Sequence, residues 1–201
     1  MDKNSYALGM SIAHNMIASG IKEVSFEDFI DGLKAVLTGA EPAVPFDEAG
    51  KLLDKYFAEM EQKQKAEAAA KGAAAKKEGE DFLKANASKD GVVILPSGLQ
   101  YKVLEEGNGK KPGAASKVKC HYAGTLVDGT EFDSSYRRNQ PAVFGVNQVI
   151  AGWTEALQLM AEGSKWELYI PYNLAYGEHG TPGAIPPYSA LVFTVELLEV
   201  L

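Results

Sequence analysis

The segment from residue 61 to 81 constrains the fold of this chain most, because it separates two different hydrophobic patterns. It consists almost entirely of Ala, Lys, Glu and Gln, with glycines at Gly72 and Gly79, and it contains no large apolar side chain. This composition has a high helix propensity but offers nothing to pack into a core. It predicts a solvated helical stalk or a linker between a helical region and a second domain.

The residues before this segment follow helical patterns. Apolar residues at helical spacing predict two short helices within residues 5 to 39. Ser25 followed by Asp28 resembles a capping box with Asp in place of Glu, and Gly39 followed by Pro42 is a stop signal. The two apolar stripes are Leu8, Ile12, Met16 and Ile17, and Phe26, Phe29, Ile30, Leu33 and Leu37.

A third helix is expected to begin near Asp47. Its first four turns carry one apolar stripe, which is formed by Leu52, Leu53, Tyr56, Phe57 and Met60. If the helix continued to residue 87, it would be ~60 Å long. Each internal glycine costs about 1 kcal/mol relative to alanine, so fraying or bending at Gly72 or Gly79 is the alternative.

The three helices together have a thin core, and chains below about 40 to 60 residues are marginally stable on their own. We therefore predict that residues 1–60 form a dimerisation domain, which pairs with a second copy across a two-fold interface. Residues 61–90 are the predicted stalk, and residues 91–201 are the predicted second domain. The alternative is a small monomeric bundle that folds against the rest of the chain.

After Gly91 the hydrophobic period changes to two, which is typical of antiparallel strands with one buried face. The alternating residues are Leu99, Tyr101 and Val103, then Val118, Cys120 and Tyr122, then Trp166, Leu168 and Ile170. Asp128 and Gly129 predict a hairpin turn, residues 152–160 predict one short helix, and residues 190–200 predict the last strand. The predicted fold class is α+β, an antiparallel curved sheet around one short helix, preceded by an all-α arm.

Composition and charge exclude several classes of function. The net charge is -7, and neither half of the chain is basic, so nucleic acid is not an expected partner. No apolar run approaches the ~20 residues of a membrane span, and the amino terminus has no signal-peptide pattern. The single cysteine, Cys120, excludes an intramolecular disulfide. We expect a cytoplasmic or periplasmic protein with no membrane span.

Conventional catalytic groups are scarce in this chain. The histidines, His14, His121 and His179, have no metal-ligand spacing, so we predict no metal and no cofactor. Cys120 and His121 are neighbours on a predicted strand and point to opposite faces, so they cannot form a catalytic dyad. Aromatic residues are more informative, because twelve of the nineteen fall within residues 91–201, several beside glycines or turn signals. This arrangement predicts an apolar pocket that suits a ring.

Several blocks of residues 91–201 resemble the FKBP-type peptidyl-prolyl cis-trans isomerases. The blocks are VKCHYAGT at 118–125, DGTEFDSS at 128–135, QVIAGW at 148–153, AYG at 175–177 and IPPYSALVF at 185–193, in family order. The helical half resembles the arm of the Mip-like bacterial branch, whose members are typically V-shaped homodimers. The resemblance implies an FKBP-like domain that isomerises X-Pro bonds in peptides and unfolded proteins, with a folding-helper role. Such a reaction breaks no bond, which fits the lack of a nucleophile.

The resemblance also implies which residues form the pocket. It assigns a catalytic role to Tyr122, Asp133, Ile150 and Tyr176, and substrate binding to Phe132, Phe144, Val149, Trp153, Ile185 and Phe193. In the family, Trp153 would lie under the proline ring, while the Ile150 N–H and the Tyr176 hydroxyl would donate to ligand carbonyls. Macrolides are implied as candidate inhibitors. From the residues alone, Trp153 and Phe193 are typical core residues, and Asp133 could cap a turn.

The sequence departs from the family pattern at three positions. Ala142 falls where many members have an aromatic wall residue, and Thr181 and Ala184 replace bulkier residues in the loop over the pocket. Two other functions stay open, the first of them because of these departures. One is a binding module that holds a proline-containing segment or a macrolide without turnover, and the other is a chaperone that acts mainly through the arm.

Overall fold

The computed structural model describes all 201 residues, which fall into two compact units, Met1–Lys65 and Ala66–Leu201. The first contains helices α1 (Lys3–Ala18) and α2 (Phe26–Thr38) and the start of helix α3 (Phe46–Asn86). The two predicted short helices and their signals are confirmed. The Ser25 hydroxyl accepts the backbone N–H of Asp28 at 3.5 Å, and Gly39 ends α2 with a left-handed φ of 69°. No helix is apolar over a length that could cross a membrane.

The apolar stripes of the first unit remain accessible to solvent. Neither α1 nor α2 contains a buried residue, and Phe26 and Leu37 are 75% and 82% exposed. A set of large apolar side chains this exposed is unusual for a unit that stays monomeric in water.

Helix α3 is continuous over 41 residues, through both of its glycines within the second unit. The prediction of a solvated helical stalk or a linker over residues 61–81 does not account for one face of the helix, where Gly72 and Gly79 are buried. Further along the helix, the ring of Phe82 lies 6.0 Å from that of Tyr169. This face was missed because small side chains permit close approach without leaving a hydrophobic stripe. The domain boundaries at residues 60 and 90 stay predictions.

The second unit contains one seven-stranded antiparallel sheet with the order β1-β2-β6-β7-β3-β4, and β5 pairs with β3. The strands are β1 (Val92–Ile94), β2 (Gln100–Glu105), β3 (Lys117–Leu126), β4 (Glu131–Ser134), β5 (Ala142–Gly145), β6 (Lys165–Ile170) and β7 (Leu191–Val200). The longer strands were predicted from their alternating pattern. Strands β1, β4 and β5 were not, since three or four residues are too few to establish a period.

The short helix α4 (Ala151–Leu159) buries Trp153, Ala156 and Leu157 in the same core cluster as the inward side chains of the sheet. Strand β3 alternates buried and partly exposed residues along its length, as a sheet with one buried face requires. The α+β fold class, a curved antiparallel sheet with one helix, is confirmed.

Candidate active site

All ten predicted site residues line one cavity of about 350 Å³ in the second unit. Strands β3, β4, β5 and β7 contribute Tyr122, Phe132, Asp133, Phe144 and Phe193, and the start of α4 contributes Val149, Ile150 and Trp153. The segment between β6 and β7 contributes Tyr176, Thr181, Ala184 and Ile185. The cavity thus joins residues that are up to 71 positions apart, from Tyr122 to Phe193.

Trp153 lies at the centre of the aromatic lining. Its ring meets three others nearly edge to face, at centroid distances of 5.4 Å to Tyr122, 5.6 Å to Phe144 and 5.3 Å to Phe193. Edge-to-face contact of this kind is the favoured geometry for aromatic pairs. The side chain is only 3% exposed, so it is both core and cavity lining, and the two interpretations of the sequence are compatible.

Gly124 of β3 is required by the packing of one wall. A Cβ atom at this position would lie 2.5 Å from a ring carbon of Phe193 and 2.7 Å from a ring carbon of Phe132. These two rings meet at 5.5 Å with an interplanar angle of 84°. Glycine therefore lets two aromatic walls approach the strand backbone between them.

The polar edge of the cavity is a network of three side chains. The Tyr122 hydroxyl donates to Asp133 Oδ2 at 2.5 Å, and Arg138 Nη2 donates to the Tyr122 hydroxyl oxygen at 2.9 Å. Arg138 Nη1 completes the triangle by pairing with Asp133 Oδ1. The cavity therefore has a fixed charged group beside a largely apolar surface.

The network shifts the pKa values of its members in opposite directions. Partial burial by itself would raise the pKa of Asp133, but hydrogen bonds from Tyr122 and Arg138 and the charge of Arg138 outweigh it and lower the pKa. Burial raises the pKa of Tyr122, and the hydrogen bond to Asp133 adds to this effect. At neutral pH the site therefore holds a carboxylate and a protonated phenol.

Two donors suited to a ligand carbonyl lie on other parts of the cavity wall. Ile150 is the N-cap residue of α4, and its carbonyl accepts from Trp153 N–H at 2.9 Å, while its own N–H is bonded to no backbone acceptor of the chain. Tyr176 is 42% exposed. Burial, followed by the negative charge of Asp133, raises the pKa of Tyr176, so its hydroxyl keeps its proton at neutral pH.

The three departures from the family pattern have different positions. Thr181 and Ala184 line the cavity, beside a two-residue bridge in which Thr181 and Ile185 exchange backbone hydrogen bonds of 2.8 and 2.9 Å. Ala142 packs against the core cluster and is absent from the lining. The small residues at 181 and 184 therefore affect the cavity rim, whereas Ala142 acts at most through its neighbours.

Arg138 is the residue that the sequence analysis missed. It lies five positions after Asp133, in the irregular segment between β4 and β5, where no periodicity indicates which way a side chain points. The only signal is the paired arginines Arg137 and Arg138 close to an acidic pocket residue. Arg137 instead pairs with Glu131 at 3.3 Å, so the sequence alone does not distinguish the two.

Cys120 and His121 are separated as predicted. Cys120 is fully buried, and burial raises the pKa of its thiol to about 12, so no thiolate forms at neutral pH. His121 stacks on Tyr136 at 4.7 Å on the other side of the strand. The structure contains no group of three side chains that could hold a metal ion.

Two family models match this chain. One is described as FKBP-type peptidyl-prolyl cis-trans isomerase and matches residues 108–198, and the other is described as the domain amino terminal to that isomerase and matches residues 1–103. The chain belongs to the FKBP-type peptidyl-prolyl cis-trans isomerases. The resemblance stated from the sequence blocks is confirmed, and with it the assignment of the chain as an isomerase of this type.

Relatives of this FKBP-type chain match along almost all of its length. The FKBP-type 22 kDa peptidyl-prolyl cis-trans isomerase of Escherichia coli is 45% identical over 98% of this chain and 94% of its own. The outer membrane protein MIP of Legionella longbeachae is 42% identical over 99% of this chain and 85% of its own. The crystal structure of FkpA from Escherichia coli aligns with a TM-score of 0.77 at 36% identity, covering 98% of this chain and 95% of that one.

Proposed function

We propose that this chain accelerates X-Pro isomerisation by holding the proline ring in the Trp153 cavity, with the preceding amide at the Asp133 edge. The observation behind the proposal is one 350 Å³ cavity that combines a wall of edge-to-face aromatic rings with a partly buried polar network at its edge. An apolar ring fits the first part, and a polar amide fits the second.

Such a site can provide the reduction in activation free energy that the reaction requires. Rotation about a peptide bond meets a barrier of ~18 to 20 kcal/mol that arises from amide resonance. Bringing an exchange that takes tens to hundreds of seconds down to milliseconds requires on the order of 6 kcal/mol. No covalent step is needed, so a site without a nucleophile is sufficient.

Each part of the cavity has a role in lowering this barrier. The aromatic wall removes the water that stabilises the planar, charge-separated amide. The Ile150 N–H and the Tyr176 hydroxyl donate to carbonyl oxygens of the substrate and favour the twisted arrangement over the planar one. The Tyr122–Asp133–Arg138 network places fixed charge close to the amide and keeps Tyr122 in one orientation.

A protease-coupled assay on a short proline peptide tests this proposal. We expect Tyr176→Phe to lower kcat/KM by about tenfold, since one hydrogen bond to the substrate is lost. Tyr136→Phe is the matched control, because it removes one hydroxyl from an exposed tyrosine that donates to Glu196 rather than to the cavity. Turnover no faster than the uncatalysed rate in the unaltered chain would reject the proposal.

Macrolides are the inhibitor class that we propose for the same cavity. The support is the aromatic wall, which suits a large apolar ring system, and the two donors at Ile150 and Tyr176. Quenching of Trp153 fluorescence by a macrolide, together with competitive loss of peptide turnover, is the expected result. Binding without competition would place the macrolide elsewhere.

We also propose that the first unit pairs with a second copy of this chain. The support is its apolar surface, which includes a groove of about 310 Å³ bordered by Ile12, Met16, Phe29 and Leu33. Pairing would bury stripes that have no core of their own. Two tethered cavities could then grip one unfolded chain with higher avidity than either alone, which is the basis of the proposed folding-helper role.

Sedimentation of the full chain distinguishes pairing from a monomer. We expect Leu33→Glu to convert a dimer to a monomer at micromolar concentration. Gly32→Glu is the matched control, because it adds the same charge in the same helix at a position where a Cβ meets nothing within 4 Å. If the unaltered chain sediments as a monomer, the pairing proposal is wrong.

For location we propose the cytoplasm or the periplasm. The name of the Legionella longbeachae relative places that protein at the outer membrane. Fractionation of cells that express the full native gene separates the two compartments.

A further inference from the structure

The segment between β6 and β7 that carries Tyr176 and Ile185 is supported from outside the sheet by α3. We call residues 172–189 the pocket loop. Within the second unit, Lys76 of α3 places its ammonium 5.5 Å from the ring centroids of both Tyr172 and Tyr188. These two rings lie at opposite ends of the pocket loop and meet nearly edge to face at 5.3 Å. The helix therefore covers the base of the loop.

The two tyrosines fix the residue that follows Tyr176. The N–H of Gly177 donates to the carbonyl of Tyr172 at 2.9 Å, and the N–H of Tyr188 donates to the carbonyl of Gly177 at 3.0 Å. Gly177 is thus held from both ends of the loop base. Because Tyr176 immediately precedes it, the direction of the Tyr176 side chain depends on where Tyr172 and Tyr188 lie.

Close approach of α3 depends on its two buried glycines. A Cβ at Gly72 would lie 3.2 Å from both Pro187 Cβ and Tyr188 Cδ2, and a Cβ at Gly79 would lie 2.8 Å from Ala190 Cβ. The glycines are seven positions apart, so they occupy the same face of the helix. Each lowers helix stability by about 1 kcal/mol relative to alanine, which only a packing role offsets.

The backbone of Tyr188 also requires outside support. Its φ is 59°, in the left-handed region that non-glycine residues seldom adopt. A conformation of this kind persists where the surroundings impose it. Here those surroundings include Gly72, Lys76 and the ring of Tyr172.

We propose that the segment from Gly72 to Gly79 is a brace that sets the position of the pocket loop, and so of Tyr176 and Ile185, for isomerisation. The inference rests on the proposed function, since it assigns positioning residues to that reaction. Gly72, Lys76 and Gly79 touch no substrate. They act through Tyr172 and Tyr188, and the amino-terminal helical family model extends over them although they serve the cavity.

The test substitutes Gly72 in the full chain. Gly72→Gln forces a side chain against Pro187 and Tyr188, and we expect kcat/KM on a short proline peptide to fall about tenfold, mainly in kcat. Ala73→Gln is the matched control, since it adds the same side chain at the adjacent exposed position. Gly72→Ala, which needs the neighbours to move by only a few tenths of an ångström, should retain most of the activity.

A second readout separates positioning from general stability. Amide hydrogen exchange across residues 172–189, measured without substrate, should accelerate in Gly72→Gln and not in Ala73→Gln. A contact that only stabilised the fold would lower the urea midpoint and leave kcat of the folded protein unchanged. Equal kcat and equal loop exchange in Gly72→Gln and its control would overturn the brace.

A third variant covers the case in which Gly72→Gln does not fold. Lys76→Met removes the ammonium between the two tyrosine rings and keeps an unbranched side chain of similar length. We expect a roughly two- to fivefold loss of kcat, because the variant loses the cation–π contacts with Tyr172 and Tyr188. Lys77→Met is the control, because Lys77 faces solvent and pairs with Asp81. If Lys76→Met matches this control in kcat and loop exchange, the brace is wrong.

The outcomes also separate the brace from the proposed function. Absence of turnover in the unaltered chain would reject the isomerase proposal, and loop exchange would still decide whether α3 braces the loop. Normal turnover in the unaltered chain, with no difference between Gly72→Gln and Ala73→Gln in either readout, would reject the brace alone.

Discussion

The two compact units differ in where they keep their apolar side chains. In Met1–Lys65, helices α1 and α2 bury none of them, whereas Ala66–Leu201 has a contiguous core that runs from Leu99 to Val200. The large apolar side chains that the second unit leaves exposed, such as Ile94 and Val143, are spread over its surface, and among them only Tyr176 lines the cavity. Hydrophobic pattern alone therefore does not distinguish a self-sufficient core from a surface that needs a partner, since both units have regularly spaced apolar residues.

The largest expected effect is on the free energy of unfolding, and it tests the difference between the two units. Leu168 is fully buried, so Leu168→Ala should lower the unfolding free energy of the second unit by about 3 kcal/mol. Both tryptophans lie in this unit, so their fluorescence in a urea titration reports its unfolding selectively. The loss should be independent of protein concentration.

Leu37→Ala is the counterpart in the first unit. Leu37 is 82% exposed, so the unfolding free energy measured by tryptophan fluorescence should change by less than about 0.5 kcal/mol. Any larger effect, monitored by helical circular dichroism, should depend on protein concentration, because only a second copy can bury this side chain. A concentration-independent loss as large as that of Leu168→Ala would show that the first unit has a core of its own.

A second prediction concerns activity. Asp133→Leu should lower kcat/KM by about fiftyfold, since it removes the charge of the cavity edge and leaves Tyr122 and Arg138 without their shared acceptor. The protease-coupled assay measures the loss. Sedimentation should be unchanged, whereas Leu33→Glu should change sedimentation and spare turnover of a short peptide. If either variant altered both properties, the functional division between the units would fail.

Much of the fold could be predicted because its longer elements repeat a period. Strand β7 and helix α2 were predicted within a residue or two, the first from alternation and the second from Ser25 and Gly39. Strand β5 has four residues, and its pairing with β3 is imposed by tertiary contacts that no local pattern encodes. The buried face of α3 was not predicted for a different reason, since Gly72 contributes to packing because it has no side chain.

The lining of the cavity could be predicted from the sequence blocks that occur in family order, whereas the contribution of Arg138 to its polar network could not. Tyr122 and Asp133 belong to two of these blocks, and in the structure the Tyr122 hydroxyl lies 2.5 Å from Asp133 Oδ2. Arg138 lies in an irregular segment whose path depends on the rest of the fold. The individual roles of the lining residues, such as donation by Ile150, stay predictions that turnover measurements decide.

A third and smaller effect is expected from Arg138. Its side chain is 50% exposed, so solvent screens part of its interaction with Asp133. Arg138→Leu should reduce kcat/KM by about fivefold, which is less than the loss in Asp133→Leu, because Tyr122 still donates to the carboxylate. Arg137→Leu is the control, since Arg137 pairs with Glu131 outside the cavity. Equal losses in both arginine variants would mean that surface charge, and not the network, is responsible.

The smallest predicted effect is on the pH dependence of stability, and it again contrasts the two units. The pKa of Asp133 is lowered in the folded state, so its stabilising contribution is complete above the ordinary aspartate pKa and is lost as the pH falls through the folded value. The urea midpoint of the second unit should therefore fall further between pH 5 and pH 3 in the unaltered chain than in Asp133→Asn.

Asp2 provides the matching case in the first unit. Hydrogen bonds from Ser5 and from the Asn4 backbone lower its pKa, and the group is fully exposed at the N-cap of α1. Asn is as good an N-cap as Asp, so Asp2→Asn should keep the helix at neutral pH and remove its titration. The tryptophan-detected midpoint should then follow the unaltered chain at every pH, because Asp2 belongs to the unit without tryptophan. If Asp2→Asn flattened that profile as much as Asp133→Asn does, acid sensitivity would not be a property of the cavity network.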